Sequence, residues 1–343
     1  MALAQQMQLR KMINMKIKNL LLIISVFQFN HVVLAADENL LIPTKSSLDG
    51  NQQQNLGLGL KVAQNGVDGL KSEAISSINS GAAGVTKSFL EKYFPTVEVQ
   101  LDLFDKSKPT SSLLILSPLS DPDDVINTFF TQDSIYHQDN RTTVNMGLGY
   151  RRLALDNKVL LGANAFYDHE FPYDHGRTSI GLEARSTVGE INFNKYWAAT
   201  GWRNGANGLQ EHALGGTDLE AGVPLPYMNW AKLYVRGFVW NAYAGVADLK
   251  GNDVSLRAQV PLLQGLSIEA GHRNFNNLPS EDFLKISYNL MSIMKPQAVQ
   301  PLISQNAYSL SSMENKRFDK VRRENLIVKQ KRNTSFTVNV IGF

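Results

Sequence analysis

Segment after segment between residues 95 and 290 repeats with a period of two. Val97, Val99, Leu101 and Leu103 alternate with Glu98, Gln100 and Asp102. Met146, Leu148 and Tyr150 alternate with Asn145, Gly147, Gly149 and Arg151; Ile180, Leu182 and Ala184 with Gly181, Glu183 and Arg185; Val254, Leu256, Ala258 and Val260 with Ser255, Arg257 and Gln259. Successive side chains of an extended strand face opposite sides, so each segment has an apolar face and a polar, often charged, one. About twelve such strands are read, at 95–104, 111–118, 125–137, 141–153, 158–168, 175–188, 190–200, 216–224, 231–241, 252–260, 265–273 and 283–290. Two are less clean: Phe166, Phe238 and Trp240 fall on the face that is otherwise polar.

Strands of that length suit a tilted crossing of a bilayer. Their connections alternate between short (Ala154–Asn157, Gly189, Pro261–Gln264) and long (Gly201–Gly215, Ala242–Gly251, Asn274–Asp282). Outer-membrane barrels have short periplasmic turns and longer outside loops, and an even strand count leaves both chain ends in the periplasm. A soluble β-sandwich is the competing architecture. Its core favours large aliphatic and aromatic residues, whereas the apolar faces here carry many alanines and the opposite faces regularly spaced Glu, Asp and Arg. The expected fold is therefore all-β, a twelve-stranded antiparallel transmembrane barrel.

The ends differ from the middle. Lys16 and Lys18, the apolar run Leu20 to Phe29 and the small residues of Val33-Leu34-Ala35 form a basic–apolar–small secretory signal pattern, which places a signal peptide at 1–35. Residues 36–92 are expected to be a periplasmic segment: 37–56 polar, then 57–92 helical, with Val62, Val67, Leu70, Ala74, Ile75 and Ile78 at three- to five-residue steps. The barrel is assigned to 93–290 and a lumen-threading linker with a short tail to 291–343. Residues 291–343 hold nine basic and three acidic residues, whereas 37–290 hold 21 basic and 28 acidic. The formal charge of +3 thus hides an acidic body, which argues against a nucleic-acid partner. There is no cysteine, which excludes disulfides, thiolate metal sites and cysteine nucleophiles.

From Thr128 to Trp202 the chain resembles the β-domain of the intimin/invasin family, the inverse autotransporters. The resemblance rests on Asn140-Arg141-Thr142-Thr143-Val144-Asn145-Met146-Gly147-Leu148-Gly149-Tyr150-Arg151, then Leu161 to Asp168 with Asn164, Phe166, Tyr167 and Asp168, then His175-Gly176-Arg177, Gly181-Leu182-Glu183 and Gly201-Trp202. It implies an outer-membrane barrel preceded by a periplasmic helical segment. It also implies a linker that returns through the lumen to export a C-terminal passenger, usually built of immunoglobulin-like modules with an adhesive tip. Arg317 to Asn325 resembles the linker's emergence. Only 53 residues follow Leu290, too few for such a module of about 100 residues, so adhesion and invasion are not carried over directly.

Glu98, Asp102, Arg151, Glu183, Arg185, Glu220, Arg236, Arg257, Glu269, Arg273 and Lys285 are expected to line the lumen, either holding a threaded linker or walling a hydrated channel. Trp197, Trp202, Trp230, Tyr167, Tyr196 and Tyr288 are expected to mark the interfacial girdles. Gly147 and Gly149 relieve crowding on the lumen face. Asp168, His169, Asp174 and His175 flank one hairpin, where acid and histidine together can bind a metal or exchange a proton; the plainer reading is a solvated loop. No catalytic residue, metal or cofactor is expected. The expected partners are outer-membrane lipid, the barrel-assembly machinery, periplasmic chaperones, and a host-surface or peptidoglycan partner. Translocation and display is the leading function. The alternatives are a barrel protease or lipase, a passive porin, and a truncated adhesin remnant.

Overall fold

The computed structural model describes residues 93–293 apart from Pro122 and Leu262, residues 301–332 and residues 338–341. The expected signal peptide, the polar stretch 37–56 and the helical segment 57–92 lie outside the described residues. The strands, in chain order, are β1 (Thr96–Phe104), β2 (Thr110–Pro118), β3 (Asn127–Gln138), β4 (Arg141–Ala154), β5 (Val159–Phe171), β6 (His175–Ser186), β7 (Gly189–Ala198), β8 (Arg203–Asn204), β9 (Gln210–Ala213), β10 (Gly215–Leu225), β11 (Met228–Asn241), β12 (Leu249–Gln259), β13 (Leu266–Phe275), β14 (Glu281–Asn289), β15 (Lys329–Arg332) and β16 (Val338–Ile341).

Twelve of these close a barrel in the order β1-β14-β13-β12-β11-β10-β7-β6-β5-β4-β3-β2. The seam is an antiparallel β1–β14 ladder running from Glu98 opposite Asn289 to Phe104 opposite Phe283. Closure removes the unpaired edges that hydrocarbon cannot tolerate. The remaining four, ordered β16-β15-β9-β8, form a separate small sheet at the end that carries the long loops.

The period of two becomes geometry most cleanly in β4. Met146 and Leu148 face outward, Leu148 being 62% exposed, while Asn145, Gly147, Gly149 and Arg151 face inward and Arg151 is 1% exposed. The same division holds in β6, with Ile180 and Leu182 outside and Glu183 and Arg185 inside, and in β12, with Val254 and Leu256 outside and Asp253 and Ser255 inside. Some polar residues interrupt the outward rows: Lys195 lies between Phe193 and Trp197 on β7, and Asp133 lies on β3 opposite Met146, bonded by the Thr131 hydroxyl at 2.8 Å. Exposed rings collect near both rims: Tyr167, Phe171 and Trp197 toward the long loops, Phe129 and Tyr227 toward the short turns, with Phe129 packed 4.6 Å from Tyr150.

The aromatics that blurred the pattern face the lumen. Phe166 packs with Leu116, Phe130 and Val321; Phe238 and Trp240 pack with Tyr196, Leu214, Leu249 and Val328. A Cβ at Gly147 would run into the Phe166 ring, and one at Gly149 into the Phe130 ring. The two glycines thus make room for aromatic side chains.

Candidate functional site: the linker in the lumen

After β14 the chain makes one short helical turn, Leu290–Ile293. Residues 301–313 then follow the short-turn rim from one turn to the next. Tyr227, between β10 and β11, donates its N–H to Ala307 O at 3.2 Å and accepts from Ser304 N at 2.8 Å. Thr187, between β6 and β7, donates to Ser309 O at 2.6 Å and accepts from Ser311 N at 3.0 Å. Asn157, between β4 and β5, accepts from Met313 N at 2.7 Å. Met313 packs on Leu153 and Leu160. Arg317 donates to Asp124 O between β2 and β3, and there the chain turns into the barrel.

Inside, the linker runs from Phe318 to Val328 with no strand partner, so the wall's side chains must satisfy its backbone. Arg151 donates to Arg317 O at 2.8 Å and Asp319 O at 2.6 Å, and Arg185 to Lys320 O. Gln132 accepts from Val321 N, Asn194 donates to Arg322 O, Arg177 to Glu324 O and Asn145 to Asn325 O. The linker's own side chains are paired as well. Lys320 meets Glu98 and Gln100. Arg322 bridges Glu220 at 2.5 Å and Glu269 at 3.2 Å and lies 3.8 Å over the Tyr234 ring. Arg323 grips Asp168 through both terminal nitrogens, at 2.9 and 2.7 Å, and covers the Phe166 ring. Glu324 reverses the sign and meets Arg236 at 3.3 Å. A cavity of about 100 Å³ remains between the linker and the wall of β1, β3 and β10–β14, room for a few water molecules.

At the long-loop end the holding changes character. Val328 O accepts from Leu214 N, and β15 then pairs antiparallel with β9, Lys329 opposite Ala213 through Arg332 opposite Gln210. Gln330 is fully buried, accepting from Tyr243 N at 2.7 Å and donating to Tyr243 O at 3.2 Å, so its amide ties the loop after β11 to the sheet. Below lie Glu170, His175 and Glu211, whose ligand atoms all sit within 4.8 Å of one another. Arg141 bridges the two carboxylates, at 2.6 Å to Glu170 and 2.8 Å to Glu211, and Lys329 caps Glu170. Cations of the chain already occupy the directions in which a metal would bind. Burial alone would raise the Glu211 carboxyl, but hydrogen bonds from His175 and Arg141 overcome it and bring it down to about 2.

The arrangement is a barrel plugged by its own basic segment. Residues 45–325 match the model of the inverse autotransporter β-domain. This chain belongs to the inverse autotransporter family. Over 170 residues it is 32% identical to an attaching and effacing protein homolog of Escherichia coli K12, covering 49% of this chain and 56% of that one. It is 27% identical over 200 residues to the inverse autotransporter adhesin YeeJ of the same organism (56% and 8%), and 30% identical over 155 residues to invasin of Yersinia enterocolitica (44% and 18%). The chain thus spans little more than half of the first relative and under a fifth of the other two. A solved chain described under "Unveiling the Mechanism Behind the in-meso Crystallization of Membrane Proteins" aligns over 69% of this chain and 100% of its own, at 20% identity and a TM-score of 0.56, which supports the fold. The inverse autotransporter barrel places the protein in the bacterial outer membrane, where barrels of this kind keep short turns toward the periplasm and longer loops outside.

In this inverse autotransporter the expected lumen residues face inward. Glu98, Arg151, Arg185, Glu220, Arg236 and Glu269 touch the linker. Glu183 clamps Arg151 at 2.5 Å, and Arg273 holds Asp253 at 2.9 Å. Asp102 accepts from Gln100, while Arg257 and Lys285 are half-buried on the same wall. Of the motif residues, Asp168 is the junction of Arg177, Arg323 and Asn145. Asn164 faces inward beside Gly181, whereas Tyr167 is exposed outside.

Three expectations need correction. Tyr196 is not a girdle residue: it is fully buried in the lumen, donating to Asp218 at 2.9 Å and accepting from Glu324 N, because it shares the inward phase of Asn192 and Asn194; Tyr288 is buried as well. Trp202 lies beside the outer sheet, stacked under Arg332, and not on a barrel strand. The group Asp168, His169, Asp174 and His175 is not brought together. Asp168 serves the linker, His169 and Asp174 pair at the surface 3.3 Å apart, and buried His175 turns to Glu211. The period of two places Asn145 and Asp218 on polar faces without assigning them a role, and it leaves Gln132, Tyr136 and Asn194 unnamed; the inward phase of their strands was the available signal.

Proposed function

We propose that this barrel exports and then anchors the polypeptide that follows its linker, holding it at the cell surface. The observation that carries the reading is the threaded segment 318–328, whose charged side chains and backbone carbonyls are engaged by the wall from rim to rim. The acidic wall and the basic linker are complementary, so the segment is a fitted occupant. Residues 1–35 act as the secretory signal and 36–92 as the periplasmic segment. Lipid, the barrel-assembly machinery and periplasmic chaperones are the partners required for insertion. Adhesion to a host surface or to peptidoglycan belongs to whatever is displayed. We read the chain as non-enzymatic, because the acid–histidine group that an outer-membrane hydrolase would need is divided among separate duties.

The test uses an epitope tag placed after Arg332 in the full chain. It is expected to be cut by protease on intact cells, and purified protein in planar bilayers is expected to stay nearly silent until the linker is destabilised. A tag reachable only after cell lysis, or a large steady conductance with the linker intact, would overturn the reading in favour of a porin.

A further inference from the structure

Residues 301–313 read Pro-Leu-Ile-Ser-Gln-Asn-Ala-Tyr-Ser-Leu-Ser-Ser-Met, a run without a single charge in a chain that is 19% charged. Charges resume at Glu314, just before the chain enters the lumen. Along the uncharged run Ile303 is 75% exposed, and Leu302, Tyr308 and Leu310 are each about half exposed. Met313, packed on Leu153 and Leu160, is the one residue of the run that is buried. The turns that hold this cord are apolar at their tips as well. Leu155, in the same turn as the Asn157 carbonyl that binds Met313, is 73% exposed. Val188 follows Thr187, Tyr227 bonds the cord through its own backbone, and both side chains are exposed. At the opposite end of the barrel the hairpin tips carry Asp139-Asn140 and Asp174.

Single exposed apolar residues are ordinary, but a run of them on a cord and on the turns that hold it marks a surface that something covers. That surface continues one that already faces lipid. Leu161 on β5, Ile191 on β7 and Val223 on β10 are exposed on outward rows, and each lies close in sequence to one of the three turn tips. An extended segment can rest at the boundary of headgroups and acyl chains only if its peptide groups find partners. Here the rim supplies many of them. Trp230 donates to Leu302 O at 2.9 Å, and Tyr227, Thr187 and Asn157 bond residues 304–313 in turn. Headgroups and water can meet the rest.

The charges of this rim agree with a phospholipid occupant. Arg152 stands on the outward row of β4 beyond Tyr150, exposed and with no hydrogen bond or ion pair among the described residues, where a phosphate can meet it. Among the described short turns, the acids other than Asp156 gather on the β2–β3 connection as Asp121, Asp123 and Asp124, where Arg317 marks the cord's inward turn. We propose that residues 301–313 and the turns beneath them form a collar seated in the phospholipid leaflet nearest the short turns. Acyl chains cover Leu302, Ile303 and Leu310, Tyr308 keeps its hydroxyl at the headgroup level, and a lipid phosphate meets Arg152. The collar rests on the membrane placement of the barrel and not on export.

The chain has no cysteine, so Ile303→Cys, Leu310→Cys, Asp139→Cys and Leu148→Cys each offer one site for a small fluorophore in the full chain. An unchanged gel shift between heated and unheated samples verifies each barrel. The labelled variants are reconstituted in vesicles of phosphatidylethanolamine and phosphatidylglycerol, with or without bromine on the acyl chains. Iodide present on both sides of the membrane should quench the labels at 303 and 310 at least about threefold less than the label at the long-loop tip 139, as for groups withdrawn into the headgroup–acyl boundary. Brominated lipid should quench them at least about half as strongly as the label at 148 on the lipid face. Iodide quenching equal to that at 139 overturns the proposal, because the cord then lies in water. Protection from iodide without quenching by brominated lipid also overturns it, because protein and not lipid then covers the cord.

Discussion

The same linker is held in two ways within a few residues. In the lumen, from Phe318 to Val328, the wall reads it by side chain, with each charge matched to a partner and most carbonyls to a donor. At the mouth, from Lys329 to Arg332, the ladder with β9 reads it by backbone, which is nearly indifferent to sequence. The difference separates fit from attachment. Buried charge pairs are specific but easily undone by a wrong partner, whereas a strand ladder tolerates substitution. The lumen therefore determines which segment may rest there, and the mouth fixes where it stops.

Charge reversal should break the contrast most severely. Arg323→Glu sets a second acid against Asp168, inside a site that now balances that carboxylate with Arg177 and Arg323. A loss of at least about 3–5 kcal/mol is expected. It would be read as a lowered melting temperature of the compact gel form together with the appearance of open-channel conductance. Arg322→Leu should cost about 3 kcal/mol, because Glu220 and Glu269 lose the guanidinium they share. The conductance that appears should favour cations, and anion selectivity would contradict the assignment.

The mouth should respond more weakly. Gln330→Leu orphans Tyr243 N and O, and should cost about 1–3 kcal/mol. Faster hydrogen exchange confined to residues 242–248 and β15 is the expected signature. Glu211 supplies a pH dependence. Its carboxyl titrates near 2 in the folded chain against an ordinary 4.5, so its contribution is complete above about 4.5 and disappears as the pH falls toward 2. An acid-stable protease should cut beyond Arg332 more readily at pH 3 than at pH 5, with recovery at neutral pH, and Glu211→Gln should flatten that difference. Lys331→Ala, which removes only a partly exposed contact of 3.6 Å to Glu211, should change stability by about 0.5 kcal/mol or less. An effect as large as that of Arg322→Leu would erase the distinction between the two regions.

The wall was legible because a strand's period is short and insistent: one residue, such as Leu148, reveals the phase of its neighbours. What escaped was long-range. Phe166, Phe238 and Trp240 contradicted the polar face locally, and only the linker's Val321 and Val328 explain why rings belong there. Tyr196 looked like a girdle residue because ring type was weighed above phase. Glu211 and Gln330 carried no period at all. They sit in four-residue strands that meet each other across more than 100 residues of sequence, and no local pattern announces such pairing.

The run of residues 301–313 around the periplasmic rim has a mechanical consequence. A pull on the surface-exposed end draws the linker along the barrel axis and meets the side-chain pairs in shear. Any tension that passes them reaches a cord lying crosswise to the pull, fastened in turn at Asn157, Thr187 and Tyr227. Force is then shared among turns that belong to separate hairpins, much as a rope wound on a bollard spreads its load. A tether built this way resists extraction without any covalent link to the membrane.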